Sequence, residues 1–226
     1  MKKSPFRWHT SWTGIILGDD NVMLPNTWDF TLDYDIVTDD MYFKDIAMQR
    51  LDFMVSEKFD NSIWINFDSP WCQDFYDRMN TFMVTLPDDP FDSLIAASAM
   101  LKAQSITRGA FEIHGCRIIS KLGYAVENFI DIDDTADLIG AIDSQSLVGS
   151  DPWFLREDAG FTDILYYKDN NATVFKEQDS WDLYKLNWDY YNQVENSEPA
   201  VTSLQRARRG AWTPTVIKGG AEDNES

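Results

Sequence analysis

Residues 27–36 alternate strictly between polar and apolar side chains. The apolar set is Trp28, Phe30, Leu32, Tyr34 and Ile36. The carboxylates of the other set are Asp29, Asp33 and Asp35. Successive side chains of a β-strand point to opposite faces, so this period of two predicts a strand with one apolar and one acidic face. We expect the three carboxylates to lie in solvent, because burying an unpaired charge is costly.

The elements around this strand predict an α+β fold. They are, in order, a strand at 27–37, a helix at 38–59, strands at 62–68 and 82–86 joined by a polar loop, a helix from 90 to 109, and a hairpin of 110–120 with 124–132 that turns near 122–123. Thr38-Asp39-Asp40 offers the first helix a cap, and Asp89 with Pro90 offers one to the second. The order βαββαβ is that of the ferredoxin-like split βαβ fold, an antiparallel sheet with two helices on one face.

The chain outside this core divides at changes of composition. Apolar residues on both sides of Gly18-Asp19-Asp20-Asn21 predict an N-terminal hairpin. Helical and strand periodicity weaken after residue 135. The expected parts are the N-terminal hairpin at 1–25, the ferredoxin-like core at 26–135, a mixed C-terminal addition packed on the core at 136–198, and an extended tail at 199–226.

The chain carries 38 acidic and 19 basic side chains, a formal net charge of −19, and 29 of the acids are aspartate. Such a surface repels nucleic acid and anionic lipid and favours a protein partner with a basic surface, or another copy of the chain. The aspartate excess has two explanations. It keeps the fold solvated in a halophilic or marine host, or it forms an acidic face for a basic partner.

The sequence contains no apolar run long enough to span a membrane, and Cys72 and Cys116 are too few for a disulfide framework. We expect two buried free thiols and a soluble protein of the cytoplasm or of a virion, with no direct contact to membrane or nucleic acid. No phosphate-binding Gly-Lys loop is present, and we expect no cofactor.

Three carboxylates are candidate metal ligands: Asp33 and Asp35 on the first core strand and Asp68 on the next. Nucleotide cyclases and polymerases with a ferredoxin-like palm place acids on these strands to bind catalytic metal ions. Residues 78–81, Arg-Met-Asn-Thr, stand where such enzymes need an acid in a hairpin. Whether any carboxylate cluster binds metal stays open at this point.

The two histidines, His9 and His114, offer little catalytic chemistry. His114 and Cys116 are expected on the same strand face without facing each other, so a nucleophilic Cys–His pair requires the fold to bring them together. We expect both histidines to be structural.

The tail combines a basic cluster with an apolar extended segment. The cations are Arg206, Arg208 and Arg209, and the apolar segment contains Trp212 and Ile217. We expect the arginines to steer the tail to an acidic surface of its own domain or of a partner, where Trp212 and Ile217 dock. A free tail is the alternative.

Three segments, 43–51, 59–65 and 86–92, resemble uncharacterised proteins of T-even-like tailed phages of marine hosts. The segments begin Phe43-Lys44-Asp45, Phe59-Asp60-Asn61 and Leu86-Pro87-Asp88. The resemblance implies a viral origin and agrees with the aspartate-rich composition. It implies no catalytic mechanism.

The sequence therefore favours a non-enzymatic acidic protein-interaction protein that acts in phage assembly or on host proteins. Its interaction face is expected at Asp29, Asp33 and Asp35, whose joint neutralisation should leave the melting temperature unchanged or raised. Two alternatives remain. One is a DNA mimic that inhibits a DNA-binding protein, and the other is a metal-dependent phosphotransfer or nucleotide-cleaving enzyme that uses Asp33, Asp35 and Asp68.

Overall fold

A computed structural model of the chain describes residues 5–18, 22–78, 83–135, 151–168, 171–176, 179–184 and 186. The strands in these residues are β1 (Phe6–Leu17), β2 (Met23–Ile36), β3 (Ser62–Asn66), β4 (Met83–Leu86), β5 (Phe111–Ser120), β6 (Glu127–Asp131), β7 (Asp163–Lys168) and β8 (Asn171–Lys176). The helices are α1 (Met41–Phe53), which continues as a π-helix over Met54–Phe59, α2 (Pro70–Arg78) and α3 (Asp92–Ile106). All described residues belong to one compact unit, Met1–Leu186. In this part of the chain, no helix has both the length and the apolar character needed to cross a membrane.

The main sheet has the strand order β4-β3-β1-β2-β5-β6, and β7 pairs with β8 in a separate two-stranded sheet. β1 runs antiparallel to β2 over its whole length. On the other side of β1, β3 and β4 follow in parallel. On the other side of β2, β5 and β6 are antiparallel. The predicted α+β class is confirmed, and the sheet is mixed.

The ferredoxin-like topology is not confirmed, because that order requires the strand at residues 83–86 to lie beside β2. Instead β4 lies at an edge of the sheet, and β1 occupies the place next to β2. Residues 23–26 extend β2 and continue its ladder with β1, so residue 25 lies inside a strand. Alternation identifies a strand and its two faces but not its partner, and the partner here is the segment expected to form a separate hairpin.

The N-cap of α1 lies in the predicted segment 38–40, whereas the N-cap of α3 differs from the predicted residue. Asp40 is the N-cap of α1 and accepts a hydrogen bond from a backbone N–H of the first turn at 2.8 Å. The predicted N-cap of α3, Asp89, is wrong, since the N-cap is Phe91 and the helix begins at Asp92. The Asp92 carboxylate lies in the first turn and accepts a hydrogen bond from Trp28 Nε1 at 3.0 Å.

The two faces of the sheet are covered unequally. Helices α1 and α3 pack on one face, where the largest buried rings are those of Trp12, Trp28, Trp64, Phe30 and Phe59. Helix α2, in the segment expected to be a polar loop, covers part of the other face. The residues that pack there are Leu17, Ile63, Ile65, Cys72 and Met83. The predicted inward face of β2 is confirmed for Trp28, Phe30, Leu32 and Tyr34, which are all buried, whereas Ile36 at its end is exposed.

A loop that covers the edge strand β4 is held in place by a buried lysine of α3. Lys102 is fully buried, and its ammonium group donates to the carbonyl oxygens of Trp153 and Arg156 at 3.0 Å and of Asp158 at 2.8 Å. Burial lowers the pKa of Lys102 to about 7, and the Asp158 carboxylate opposes this shift. Trp153 Nε1 in turn donates to the carbonyl oxygen of Thr85 on β4 at 2.6 Å. The loop therefore occupies a backbone hydrogen-bond acceptor of this edge strand.

We predict that Lys102→Met lowers the free energy of unfolding by about 3 kcal/mol, because buried carbonyl oxygens and the Asp158 carboxylate lose their cation. Urea unfolding measures this loss. Lys44→Met is the control, since it removes the same charge from a half-exposed position of α1 and should change stability by no more than about 0.5 kcal/mol. Equal losses in the two variants would contradict the role of Lys102.

A carboxylate at the entry to β3 connects that strand to β1. Asp60 Oδ1 accepts hydrogen bonds from the backbone N–H of Thr13 at 2.9 Å and from its hydroxyl at 2.8 Å. Asn61, with φ of +59°, donates its backbone N–H to the Thr13 carbonyl oxygen at 2.8 Å. The hydrogen bonds from Thr13 lower the pKa of Asp60, because they favour its charged form.

We predict that Asp60→Asn destabilises the protein at neutral pH and that the difference disappears in acid. A carboxyl group whose pKa is lower in the folded chain contributes stability above its unfolded pKa and loses it as the pH falls through the folded value. Urea unfolding of both proteins from neutral pH to below about pH 4 measures this convergence. A difference that is constant across that range would show that the charge of Asp60 contributes nothing.

Candidate functional site

The part of the sheet that α2 leaves uncovered has a polar surface, which we call the open face. It is formed by side chains of β1, β2, β5 and β6 that point away from α1 and α3. Its members include Arg7, His9, Ser11, Asp29, Thr31, Asp33, Asp35, Glu112, His114, Arg117, Ile119, Glu127, Phe129 and Asp131. The polar residues of β2 point this way because its apolar residues are packed against the helices.

Two arginines converge on one carboxylate at the centre of the open face. Arg7 Nε donates to Asp33 Oδ1 at 2.9 Å, and Arg117 Nη2 lies 3.6 Å from Asp33 Oδ2. Arg117 Nη1 also lies 3.7 Å from Glu127 Oε1. These contacts follow from the register, since Arg7 pairs with Asp33 and Arg117 pairs with Thr31, two residues away on β2. The Asp33 side chain is 12% exposed, and the two cations offset the cost of desolvating its charge.

An exposed phenyl ring borders this ion network. The ring of Phe129 is 57% exposed, and its centre lies 5.7 Å from the Arg117 guanidinium group. Gly115 makes room for it, because a Cβ atom there would lie 2.9 Å from the Ile130 carbonyl oxygen and 3.3 Å from the ring. The cation–π contact orients Arg117. Arginine and aromatic side chains are enriched at protein–protein interfaces, so this part of the face is suited to binding a protein.

A β-bulge in β5 turns His114 onto the open face. The register between β2 and β5 shifts after Asp33, which leaves His114 without a partner residue on β2. Its Nε2 lies 3.1 Å from Asp35 Oδ2. Cys116, by contrast, is fully buried on the helix side, with its thiol 3.6 Å from the Ala96 carbonyl oxygen.

The expectation that His114 and Cys116 share a strand face is therefore wrong, because the bulge interrupts the alternation between them. Burial raises the pKa of the Cys116 thiol to about 12, so the thiolate nucleophile is strongly disfavoured at neutral pH. The other histidine, His9, lies on the open face with Nδ1 3.1 Å from Thr31 Oγ1. Both cysteines are free and buried, as expected.

The three carboxylates of the predicted interaction face point the same way but differ in environment. Asp29 is exposed, as expected. Asp33 is buried, which contradicts the expectation that it lies in solvent. Asp35 is half-buried beside His114. Alternation predicts the face to which a side chain points, whereas its exposure depends on the long side chains of neighbouring strands, here Arg7 and Arg117.

The carboxylates considered for a metal site do not converge. Asp33 and Asp35 lie beside Arg7, at the start of β1. Asp68 follows β3, whose C-terminal end aligns with Leu17 at the end of β1. Arg7 and Leu17 are ten positions apart along the strand, a distance of about 33 Å. Within the described ranges, no group of three or more histidine, cysteine or carboxylate side chains is placed to hold a metal ion.

The residues expected to dock the tail, Arg206, Arg208, Arg209, Trp212 and Ile217, lie outside the described residues.

Comparison with known proteins gives no family assignment. No family model matches the chain, and no curated protein matches it. The open face is therefore interpreted from its own geometry.

Sequence reasoning missed the cations of the open face. The spacing of two that identified β2 also occurs on its neighbours. It relates Arg7 to His9 on β1 and Gly115 to Arg117 on β5. That spacing was the available signal for a polar face on three strands. The contact of both arginines with Asp33 could not be inferred, because it depends on which strands are neighbours.

We predict that Asp33→Asn lowers the free energy of unfolding by about 2 kcal/mol, because it leaves two guanidinium groups close together without the carboxylate between them. The expectation that all three aspartates can be neutralised without loss of stability is revised accordingly. Asp29→Asn is the matched control, since it removes the same charge from an exposed position of the same strand. It should leave the urea midpoint unchanged or slightly raised. If Asp33→Asn unfolds at the wild-type urea concentration, the ion network does not stabilise the face.

Proposed function

We propose that this chain is a non-enzymatic, acidic protein-interaction protein that binds a basic surface of a partner protein through the open face. The observation that carries the proposal is the excess of carboxylates over cations on this face. The carboxylates are Asp29, Asp33, Asp35, Glu112, Glu127 and Asp131, and the cations are Arg7 and Arg117. The exposed ring of Phe129 adds an apolar contact at one side.

The arrangement separates charges that hold the face together from charges that are open to a partner. Asp33 is buried between Arg7 and Arg117 and keeps both guanidinium groups in position. Asp29 and Glu112 are exposed and lie on either side of this centre. Carboxylates in solvent attract lysine and arginine side chains over a Debye length, so the association rate should depend on salt.

The geometry favours neither alternative function. A DNA mimic requires carboxylates spaced like phosphates along one elongated face, and two guanidinium groups interrupt the carboxylates of β2 at Asp33. Metal-dependent phosphotransfer through Asp33, Asp35 and Asp68 requires these groups to meet at one ion, and Asp68 lies at the opposite end of the sheet.

The proposal extends to a phage-encoded protein that acts in the host cytoplasm, in assembly or on host proteins. This part rests on the resemblance of segments 43–51, 59–65 and 86–92 to tailed-phage proteins and on the aspartate-rich composition. A basic partner inside a bacterial cell fits a chain with a net charge of −19.

We predict that the protein captures a basic host protein in the presence of EDTA and that the affinity for the purified partner falls about tenfold or more between low and physiological salt. The double variant Asp29→Asn with Glu112→Gln should weaken binding mainly through a slower association rate, measured by surface plasmon resonance. The melting temperature should be unchanged or raised, since neither carboxylate is part of the central ion network.

The control variant is Glu57→Gln with Asp88→Asn, which removes the same charge from exposed positions outside the open face. It should bind like the wild type. Equal weakening by both double variants would mean that only net charge matters, and an affinity indifferent to salt would rule out electrostatic recognition. Loss of capture on addition of EDTA would instead support a metal-dependent function.

A further inference from the structure

The hairpin between β5 and β6 ends in a strained turn that presents an exposed tyrosine. The N–H of Val126 donates to the Gly123 carbonyl oxygen at 3.1 Å, which closes a four-residue turn with Tyr124 and Ala125 at its centre. Their φ angles are +56° and +57°. A turn with positive φ at both central residues is of type I′ and strongly favours Asn-Gly. Tyrosine and alanine are unfavourable at these positions. Packing of the ring does not compensate for this cost, since Tyr124 is 97% exposed.

Hydrogen bonds to two buried side chains, Asn26 and Ser120, hold this turn in its strained conformation. Asn26 is 5% exposed, accepts the Leu122 N–H at 3.1 Å and donates to Ser120 Oγ at 2.7 Å. Ser120 Oγ in turn accepts the N–H of Gly123 at 3.2 Å. Strained backbone persists where the surrounding structure determines it, and it is common at binding sites. The network therefore fixes the backbone of the turn that carries Tyr124, while the ring itself packs against almost nothing.

A cleft of about 440 Å³ lies beside this turn. Apolar side chains of Ile15, Pro25 and Leu122 contribute to its walls, together with Thr27. Lys121 is the one charged residue among those that line it. Pockets that hold small organic molecules start at about 300 Å³, so the cleft is large enough for a phenol ring.

We propose that Tyr124 of one copy docks into this cleft on a second copy, which gives a two-fold symmetric dimer. In such a dimer the same patch meets itself, so one patch must carry both a projecting group and the recess that receives it. Tyr124 and the cleft meet this requirement, since Lys121 and Leu122 of the same turn line the recess. The inference does not depend on the function proposed for the open face.

The charges of the patch also fit a second copy. A chain with a net charge of −19 repels itself, so a contact between copies needs a surface poor in carboxylates. The described residues that line the cleft include no carboxylate, and Lys121 there would meet Glu127, which follows Tyr124 by three residues, on the other copy. A basic partner would instead favour the carboxylate-rich open face. Because the turn already fixes the backbone of Tyr124, docking restricts only its side chain.

Sedimentation equilibrium of the full chain from about 1 to 100 μM tests the proposal, since this range brackets a micromolar dissociation constant. We expect a reversible dimer that Tyr124→Ala weakens about 30-fold or more. The double variant Tyr124→Asn with Ala125→Gly supplies the residues that the turn favours. It should raise the melting temperature of the monomer and still weaken the dimer, whereas a purely structural role of Tyr124 would leave association unchanged.

Two variants that damage opposite halves of the contact give the sharpest test. Thr27→Phe fills the cleft and keeps Tyr124, while Tyr124→Ala keeps the cleft. Each should be monomeric alone, and an equimolar mixture should form a heterodimer with one tyrosine in one intact cleft. Lys121→Glu, at an exposed position, is a second cleft variant that leaves the fold intact and should also weaken the dimer.

A wild-type chain that stays monomeric across the concentration range would overturn the proposal. So would a dimer that survives Tyr124→Ala, or one that Tyr124→Ala weakens while both cleft variants leave it unchanged, since the tyrosine would then dock elsewhere.

Discussion

The antiparallel ladder between β1 and β2 is the constraint on which the rest of this structure depends. It joins all twelve residues of β1 to β2, and a slip by one residue would turn every side chain to the wrong face. Its register places Trp12 and Trp28 together under the helices and Arg7 and Asp33 together on the open face. The remaining strands extend this pair, with β3 added to β1 and β5 added to β2. The core and the polar face are thus two sides of one pairing.

Local patterns in the sequence predicted elements well and their neighbours poorly. The period of two identified β2 and its inward face, and the turn signal near residue 122 identified the β5–β6 hairpin, because both depend on residues close in the chain. The strand order was not predictable, since it depends on β1 competing with β4 for the place beside β2. The start of α3 was misplaced because Asp92 is held by Trp28, a residue of a different element.

The candidate site shows the same division between local and long-range information. Alternation placed Asp29, Asp33 and Asp35 on one face of β2, but the burial of Asp33 depends on arginines of β1 and β5. A bulge, which has no clear sequence signal, moved His114 to this face and left Cys116 in the core. In a chain with twice as many acids as bases, two guanidinium groups at the centre of the face relieve the repulsion between its carboxylates. The face therefore keeps an acidic rim around an internally neutralised centre.

The most direct test of this account is carbodiimide labelling of carboxylates, read by mass spectrometry, in the free protein and in its complex with a captured basic partner. The account predicts that Asp29 and Glu112 react in the free protein and are protected in the complex. It predicts that Asp33 stays poorly reactive in both states and that Glu57, on the helix side, reacts in both. Protection of Glu57 with continued labelling of Asp29 and Glu112 would contradict the central claim, because the partner would then bind a surface other than the open face.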